Sequence, residues 1–444
     1  MFSLRILIDF FKKIKNKTLF LTVGITLTYG VTKIIFYNNS PHTSLTPFGI
    51  KVGKDLILIG LIFILCCNKT FLHEVVKIKN RRILIWVTMP IVLTCFMFIS
   101  IFGKFIFDYS MIAVLKNHLY YVFGSFFCWF IIVSNKQDVF FKFFRFFMPI
   151  NIIAGIIFYF LFRNIHVTYR FFLEGRMIGF MANPNYLSFF SGLYIFTVLY
   201  AIIKDKRFYK YRFIELFLGV IGLATSFSYS AIFSFFIALI IFSGLIISNF
   251  LKFHKIFKMK IIFTNIVIFI FLTICISPLR LFDNIVFSKV LAYKSIDKIV
   301  KVLFLKEETT YSGIKNREET FSKHLSSYQK PNVAINTKKK YIETDSYFLN
   351  LYCNFGIFIL LGWMVWLFYP IIIFCTKRKT NIKRIKADKG YIIFVIFLIP
   401  ILTVYSCLQY TLEKFPVNFY VGFILGFVLI TCLKARGSNN NLIC

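Results

Sequence analysis

Arginine side chains are the first candidates for chemistry in this sequence, and four of them lie in two polar segments between apolar stretches. They are Arg170, Arg176, Arg280 and Arg317. A guanidinium group presents a planar fork of N–H donors that matches the oxygens of a phosphate group. These residues therefore suit a phosphate-bearing lipid headgroup or leaving group. The competing interpretation is a solvated arginine beside a helix end, which composition alone favours.

The run R-x-x-G-x-x-x-N-P-N extends from Arg176 to Asn185. Asn183 and Pro184 are residue types that begin a helix, because asparagine caps the first turn and proline is tolerated in it. A cap requires neither the upstream arginine nor Gly179, whose missing side chain lets another group approach the backbone. The N–H groups of a helix start also attract anions. The run therefore predicts both a helix start and a binding site.

A carboxylate opens the second motif, the run D-S-Y-F-L-N-L-Y-C-N-F-G from Asp345 to Gly356. Tyr347, Leu351 and Phe355 recur at the spacing of one helical face. Asp345 either caps this helix or acts as a general base that takes a proton from a bound hydroxyl. The sequence leaves both roles open.

The composition shows that a membrane protein must position these motifs. Mean hydropathy is +0.75, with 58% hydrophobic and 16% charged residues, whereas soluble proteins have about 25% charged residues. A transmembrane helix needs about 20 apolar residues. The predicted fold class is all-α, with about 12 transmembrane helices. The apolar segments lie near 18–37, 55–68, 83–102, 119–134, 147–163, 185–203, 213–226, 230–248, 261–278, 355–375, 390–408 and 417–433.

Basic residues fix the predicted orientation. The polar segments on one side of the alternating spans hold 31 of them, and the short segments on the other side hold eight. Since basic segments stay in the cytoplasm, both termini are predicted to be cytoplasmic. The predicted division is 1–278 with nine spans, 279–345 as one large extracytoplasmic loop, and 346–444 with three spans. The segment 164–184 also faces outward.

Three features together resemble the O-antigen polymerase and ligase superfamily of bacterial membrane glycosyltransferases. They are the R-x-x-G-x-x-x-N-P-N run entering a central span, the large outward loop before the last three spans, and the D-S-Y-F-L-N-L-Y-x-N-x-G run closing that loop. The resemblance implies transfer of a glycan from an undecaprenyl-diphosphate carrier at the outer face of the bacterial cytoplasmic membrane. It implies no nucleotide sugar, cofactor or metal. A chain-length regulator and a flippase are the partner proteins that it implies, besides membrane lipid.

The resemblance also assigns roles to residues. Arg170 and Arg176 would hold the diphosphate, and Arg317, with Arg280, would add to the same positive charge. Asp345 would be the base for the acceptor hydroxyl. Gly179, Asn183 and Asn185 would contribute to substrate binding.

One departure from the family favours a polymerase over a ligase. The ligase branch has a histidine eleven residues before the loop-closing glycine, and this chain has Asp345 there. A Ser-Arg pair after the seventh span is also absent, since 225–230 reads T-S-F-S-Y-S. A polymerase of O-antigen (lipopolysaccharide) or capsule repeat units is therefore the first hypothesis. A ligase that moves finished polymer to lipid A core or another acceptor is the alternative.

A transporter, such as a lipid-linked sugar flippase, is the alternative of another class. The number of spans suits it, but the long loop is predicted to lie outside, between the ninth and tenth spans. A transporter is expected to have charged residues along its substrate path. Such residues are few inside the predicted spans, and the main ones are Lys33 and Glu215.

The net charge of +35 would suggest nucleic acid in a soluble protein. Here the basic residues of the short segments are concentrated on the predicted cytoplasmic side of the membrane, which explains the charge by topology. No nucleic-acid partner is therefore predicted.

Overall fold

The structure is a computed structural model and describes the residues 17–29, 31, 53, 55–57, 59–60, 81–102, 109–163, 177–205, 210–226, 228–248, 255–276, 346–381, 391–408, 412 and 414–434. Every regular element in these ranges is helical, and no strand occurs among them. The all-α prediction is therefore confirmed for the described residues.

The helices are numbered in chain order. They are Lys17–Leu27 (α1), Arg81–Phe102 (α2), Tyr109–Val133 (α3), Gln137–Arg163 (α4), Pro184–Asp205 (α5), Lys210–Thr225 (α6), Tyr229–Ile247 (α7), Lys255–Ile276 (α8), Tyr347–Phe355 (α9), Ile357–Asn381 (α10), Tyr391–Pro400 (α11) and Val417–Lys434 (α12). A 3₁₀ turn, Gly179–Met181, precedes α5, and α11 continues through a π-helical turn, Ile401–Tyr405, into Ser406–Leu408.

Five of the described helices are long and apolar enough to cross a membrane. Their spanning parts are Arg82–Ile99, Gln137–Phe158, Pro184–Asp205, Ser230–Ile247 and Ile357–Thr376. Shorter apolar helices cover Lys17–Leu27, Ile392–Tyr405 and Val417–Leu433. The helices are those of a membrane protein. The count of 12 spans and the outward placement of 279–345 stay predictions, because that loop and much of the chain between α1 and α2 lie outside the described residues.

Large apolar side chains cover the outer sides of the helices. Phe358 is 85% exposed, and Ile85 and Ile214 are each 63% exposed. An apolar surface of this extent would promote association in water, whereas acyl chains solvate it at no cost. The exposure therefore agrees with a bundle surrounded by lipid.

Glycines bring α3 and α12 together at backbone distance. A Cβ on Gly124 would collide with the carbonyl group of Phe419. A Cβ on Gly422 would collide with the carbonyl oxygen of Tyr121. Gly422 and Gly426 have the small-x-x-x-small spacing that allows membrane helices to approach closely and gain van der Waals contact. Since position 121 meets 422 and position 128 meets 426, the two helices run in the same direction.

Two tryptophans join α2 to α10. The indole rings of Trp86 and Trp366 stack with their centroids 5.1 Å apart. Each indole N–H donates to the backbone carbonyl of the other residue, at 3.1 Å from Trp86 and 2.8 Å from Trp366. Both polar groups are thus satisfied inside an apolar interface, where an unpaired N–H would destabilise the pair.

A break separates α6 from α7, which confirms that the segments before and after 227 are two helices. α6 ends at Thr225 and α7 begins at Tyr229. The Thr225 hydroxyl donates to the carbonyl of Ile221 at 2.6 Å, and the Ser226 hydroxyl donates to that of Leu223 at 2.8 Å. Such bonds from side chain to backbone compete with a continuing helix.

The bundle has two chemically different ends. α4 begins at one of them, where Asp138 pairs with Lys204 at 2.5 Å. Further along α4, Gly155 packs against Gly179 at the other end. The first is called the basic end, and the second, which holds Gly179, is called the motif end.

Glu215, predicted inside a span, is ion-paired at the basic end. Its carboxylate accepts from Arg212 at 2.6 Å and lies 3.8 Å from the guanidinium of Arg145. Arg212 also lies 3.5 Å from the carboxylate of Asp205. These ion pairs connect α4, α5 and α6 at the basic end.

Candidate functional site

The segment before α5 is a tight buried turn at the motif end. Gly179 and Ala182 both have φ of 53°, in the left-handed region. Met177, Ile178 and Met181 are buried. A side chain on Gly179 would collide with Asn151, because the backbone of the turn lies directly on that residue. Gly179 is therefore required both for its backbone conformation and for a close approach.

Asn151 of α4 holds this turn in place. Its Oδ1 accepts from the backbone N–H of Phe180 at 2.9 Å, and its Nδ2 donates to the carbonyl of Leu27 at 2.7 Å. Asn151 is 1% exposed. One buried amide thus connects the end of α1, the middle of α4 and the motif turn. Deleting it would remove the partner of the Phe180 N–H and of the buried Leu27 carbonyl.

Asn183 caps α5, as its sequence predicts. Its Oδ1 accepts from the N–H of Asn185 at 2.8 Å, and its carbonyl accepts from the N–H of Leu187 at 3.1 Å. Pro184 is the first helical residue. Because the N–H of Asn185 already donates to this cap, it is not free to donate to an anion at the helix start. The described contacts of Gly179 and Asn183 are therefore structural, and their contact with substrate stays a prediction.

Serine side chains from α5 and the α6–α7 break lie beside the motif turn. The N–H of Met177 donates to the carbonyl of Thr225 at 3.1 Å, and the hydroxyls of Ser188 and Ser226 are hydrogen-bonded to each other. Three further buried serine hydroxyls have no hydrogen-bond partner among the described residues. They are Ser191, Ser228 and Ser230. The motif turn therefore lies against a polar patch within an otherwise apolar bundle.

The second motif forms α9, a nine-residue helix at the same end. Tyr347, Leu351 and Phe355 are all buried, which confirms the predicted helical face. Ser346 is the N-cap, and its hydroxyl accepts from the N–H of Leu349 at 3.4 Å. The capping position is therefore occupied by Ser346, one residue after Asp345.

The two motifs meet through the π-helical turn after α11. The hydroxyl of Tyr405 donates to the carbonyl of Asn185 at 3.3 Å, and the next residues, 406–408, contact α9. On its other side, the ring of Tyr347 stacks on His118 of α3 with centroids 6.1 Å apart. Residues more than 150 positions apart thus lie at one end of the bundle.

A cluster of hydrogen bonds around one carboxylate, Asp55, lies at the motif end, and the sequence did not predict it. Asp55 accepts from the hydroxyls of Tyr29 at 2.5 Å and Tyr120 at 2.6 Å, and from Lys116 at 2.8 Å. The other carboxylates in the described part of the chain are Asp138, Asp205 and Glu215, all at the basic end. The partners of Asp55 come from distant elements, so no local pattern signals the cluster.

The charged residues expected to carry the chemistry lie outside the described residues. They are Arg170, Arg176, Arg280, Arg317 and Asp345. Of the predicted site, the structure describes Gly179, Asn183 and Asn185, and it brings them together in one turn.

Comparison of the chain with protein-family models, with curated proteins and with solved structures finds no match.

Proposed function

We propose that this chain is a bacterial membrane glycosyltransferase, a polymerase that joins undecaprenyl-diphosphate-linked oligosaccharide repeat units into O-antigen or capsular polysaccharide. The observation that carries the proposal is the meeting of the two motif segments. The turn 177–185 and the start of α9 lie at one end of a membrane-type bundle and are connected through Tyr405 and the residues after it. The chain positions of Arg176 and Asp345 directly precede these described segments.

The chemistry follows from the residue types. A hydroxyl oxygen of the acceptor sugar attacks the anomeric carbon of the donor, and the bond from that carbon to the diphosphate oxygen breaks. Arg170 and Arg176, with Arg317 and Arg280, offset the negative charge that develops on the leaving diphosphate. Asp345 takes the proton of the attacking hydroxyl.

The rigid parts described above serve this reaction by positioning. Asn151 fixes the turn that follows Arg176, and Ser346 fixes the helix that follows Asp345. Because Ser346 occupies the cap, the carboxylate of Asp345 is not needed as the cap and is assigned to the acceptor. Correct placement of reacting groups can lower a barrier by several kcal/mol, roughly 7 to 11 in favourable cases.

The proposal includes an arrangement in the membrane. The chain has about 12 spans, with both termini in the cytoplasm and the motif end at the outer face of the inner membrane. The excess of basic residues on the opposite side supports this orientation. A flippase would deliver the lipid-linked repeat unit to that face, and a chain-length regulator would act on the product.

Glycolipid analysis of a deletion strain tests the function. Loss of a polymerase leaves single repeat units on their carrier or acceptor, whereas loss of a ligase leaves long polymer on the lipid carrier. Restoration by the intact gene is the control. Unaltered polymer length and attachment in the deletion strain would refute both assignments.

A further inference from the structure

An open apolar groove of about 380 Å³ runs between α6 and α8 on the outer side of the bundle. Leu216, Val220 and Ile268 form its buried floor, and Phe217 and Val267 are half-exposed at its rim. Among the described residues that line it, the one polar side chain is Thr264. The groove therefore offers a hydrocarbon surface.

The hydroxyl of Thr264 does not alter this surface, because it donates to the carbonyl of Lys260 in its own helix at 2.8 Å. The described side chains of the groove therefore offer no free hydrogen bond to a peptide or a sugar. Its volume lies within the range of about 300 to 1,000 Å³ that small-molecule sites have. An acyl chain matches the chemistry of this surface between the two helices.

Both helices that form the groove begin at the basic end. α6 starts beside the end of α5, as the contact of Arg212 with Asp205 shows. α7 runs back from the break after α6, and α8 returns antiparallel to α7. The latter pairing is seen in Asn265, which donates to Ser243 at 3.2 Å, and in Phe269, whose ring lies 5.1 Å from that of Phe236. The groove therefore begins near the basic end, within the first turn of α6.

Lysines precede the groove residues on α8. α8 carries Lys255, Lys258 and Lys260 near its start and has no acidic residue. Lys258 donates to the carbonyl of Ile247 at 3.2 Å. Lys260 is exposed and lies one turn before Thr264, on the same face of α8 as the groove. Nearby on α6, Arg212 is committed to Glu215. Helix N-termini add a positive field to the lysine charge.

We propose that this groove is a binding site for an anionic phospholipid of the leaflet at the basic end. One acyl chain lies along the floor between α6 and α8, and Lys260 contacts the negatively charged headgroup. A headgroup without net charge would leave the lysine excess of α8 uncompensated, so the site prefers a lipid with net negative charge. The bound chain fills the space between the two helices and holds α8 against α6.

Native mass spectrometry of the purified full chain in non-ionic detergent tests the proposal with two probes. These are phosphatidylglycerol and phosphatidylcholine with identical acyl chains. The unaltered protein is expected to retain phosphatidylglycerol in preference to phosphatidylcholine. Lys260→Gln should lower retention of phosphatidylglycerol about fivefold, the effect of one basic residue at an anionic membrane surface. Lys142→Gln, which removes an exposed lysine from α4, is the matched control and should change nothing.

A second pair of variants tests the groove itself. Val267 and Ile266 are neighbours in α8 with 45% and 50% exposure, and only Val267 lines the groove. Val267→Trp should therefore displace the bound lipid, while Ile266→Trp should retain it. Equal retention of the two lipids by the unaltered protein would overturn the proposal, as would equal loss in both tryptophan variants. Lys260 is exposed, so its variant remains informative if a tryptophan variant fails to fold. None of these measurements depends on glycan transfer.

Discussion

At the level of single residues, the motif R-x-x-G-x-x-x-N-P-N separates into positions with different tasks. Gly179 lets the turn lie on Asn151, and Asn183 caps α5. These tasks explain two of the motif positions by local geometry. Neither task requires Arg176, the first residue of the motif. The proposed chemistry therefore rests on Arg176.

Gly179→Ala is expected to destabilise the protein. The left-handed conformation costs an alanine about 1 to 2 kcal/mol, and the added methyl group would also displace Asn151. Gly244→Ala is the matched control, because nothing lies within 4 Å of its added carbon and alanine favours the interior of a helix. Thermal unfolding in detergent measures both. Equal melting temperatures for the two variants would contradict the requirement for glycine.

Arg176→Ala is expected to abolish polymer and leave the protein in the membrane, because a methyl group cannot offset the charge of a diphosphate. Polymer length on gels and the amount of membrane-bound protein are the measurements. Arg82→Ala, at the exposed start of α2 on the basic end, is the control. Full-length glycan from the Arg176 variant would reject the assignment.

Asp345→Asn and Ser346→Ala should differ in their effect on stability. The first should impair transfer with little change in stability, since an amide does not accept the proton. The second removes the cap of α9 and should cost about 0.5 to 2 kcal/mol of stability. Transfer assays and thermal unfolding separate the two effects. A silent Asp345→Asn variant would remove this residue from the mechanism.

At the level of helices, hydropathy located the cores of the elements and missed several of their starts. α3 begins at Tyr109 and α4 at Gln137, about ten residues before the apolar segments predicted there. Backbone hydrogen bonding continues through polar residues once a helix has formed, whereas hydropathy detects only the apolar part. The break between α6 and α7 was predicted because a single bent helix would have disturbed the alternation of basic segments between the two sides of the membrane.

Gly422→Leu is expected to separate α3 from α12 and to reduce folded protein. The added side chain would meet the backbone of Tyr121, and neither helix can move without losing contact with the rest of the bundle. Gly244→Leu adds the same group where space is open and serves as the control. The yield of monodisperse protein in detergent is the readout. Comparable yields for both variants would show that this contact is dispensable.

At the level of the whole molecule, the bundle separates two kinds of polar contact. The described ion pairs of arginine and lysine with carboxylates lie at the basic end, except that of Lys116 with Asp55 at the motif end. The other polar contacts described at the motif end join neutral amides and hydroxyls. A reaction that releases an anionic diphosphate would need added positive charge at the motif end. The arginines of 164–184 and 279–345 would provide it.

Cysteine labelling in whole cells is expected to distinguish the two ends. Lys116→Cys at the motif end should react with an impermeant maleimide added outside the inner membrane. Lys142→Cys at the basic end should react only after that membrane is permeabilised. Both lysines are exposed, so a difference in labelling between the two cysteines would reflect the side of the membrane and not burial. The unaltered protein controls for its native cysteines, and the reverse pattern would invert the orientation and remove the proposed function.

The sequence by itself determined that the chain is a helical membrane protein, that α5 starts at Asn183-Pro184, and which face of α9 is buried. These properties depend on composition and on contacts within a few residues, so a local pattern records them. Only the tertiary structure decided that Asn151 holds the motif turn, that Asp55 binds two tyrosines and a lysine, and that α9 reaches α5 through Tyr405. Each of these contacts joins residues that are distant in the chain, and their meeting depends on how the helices pack.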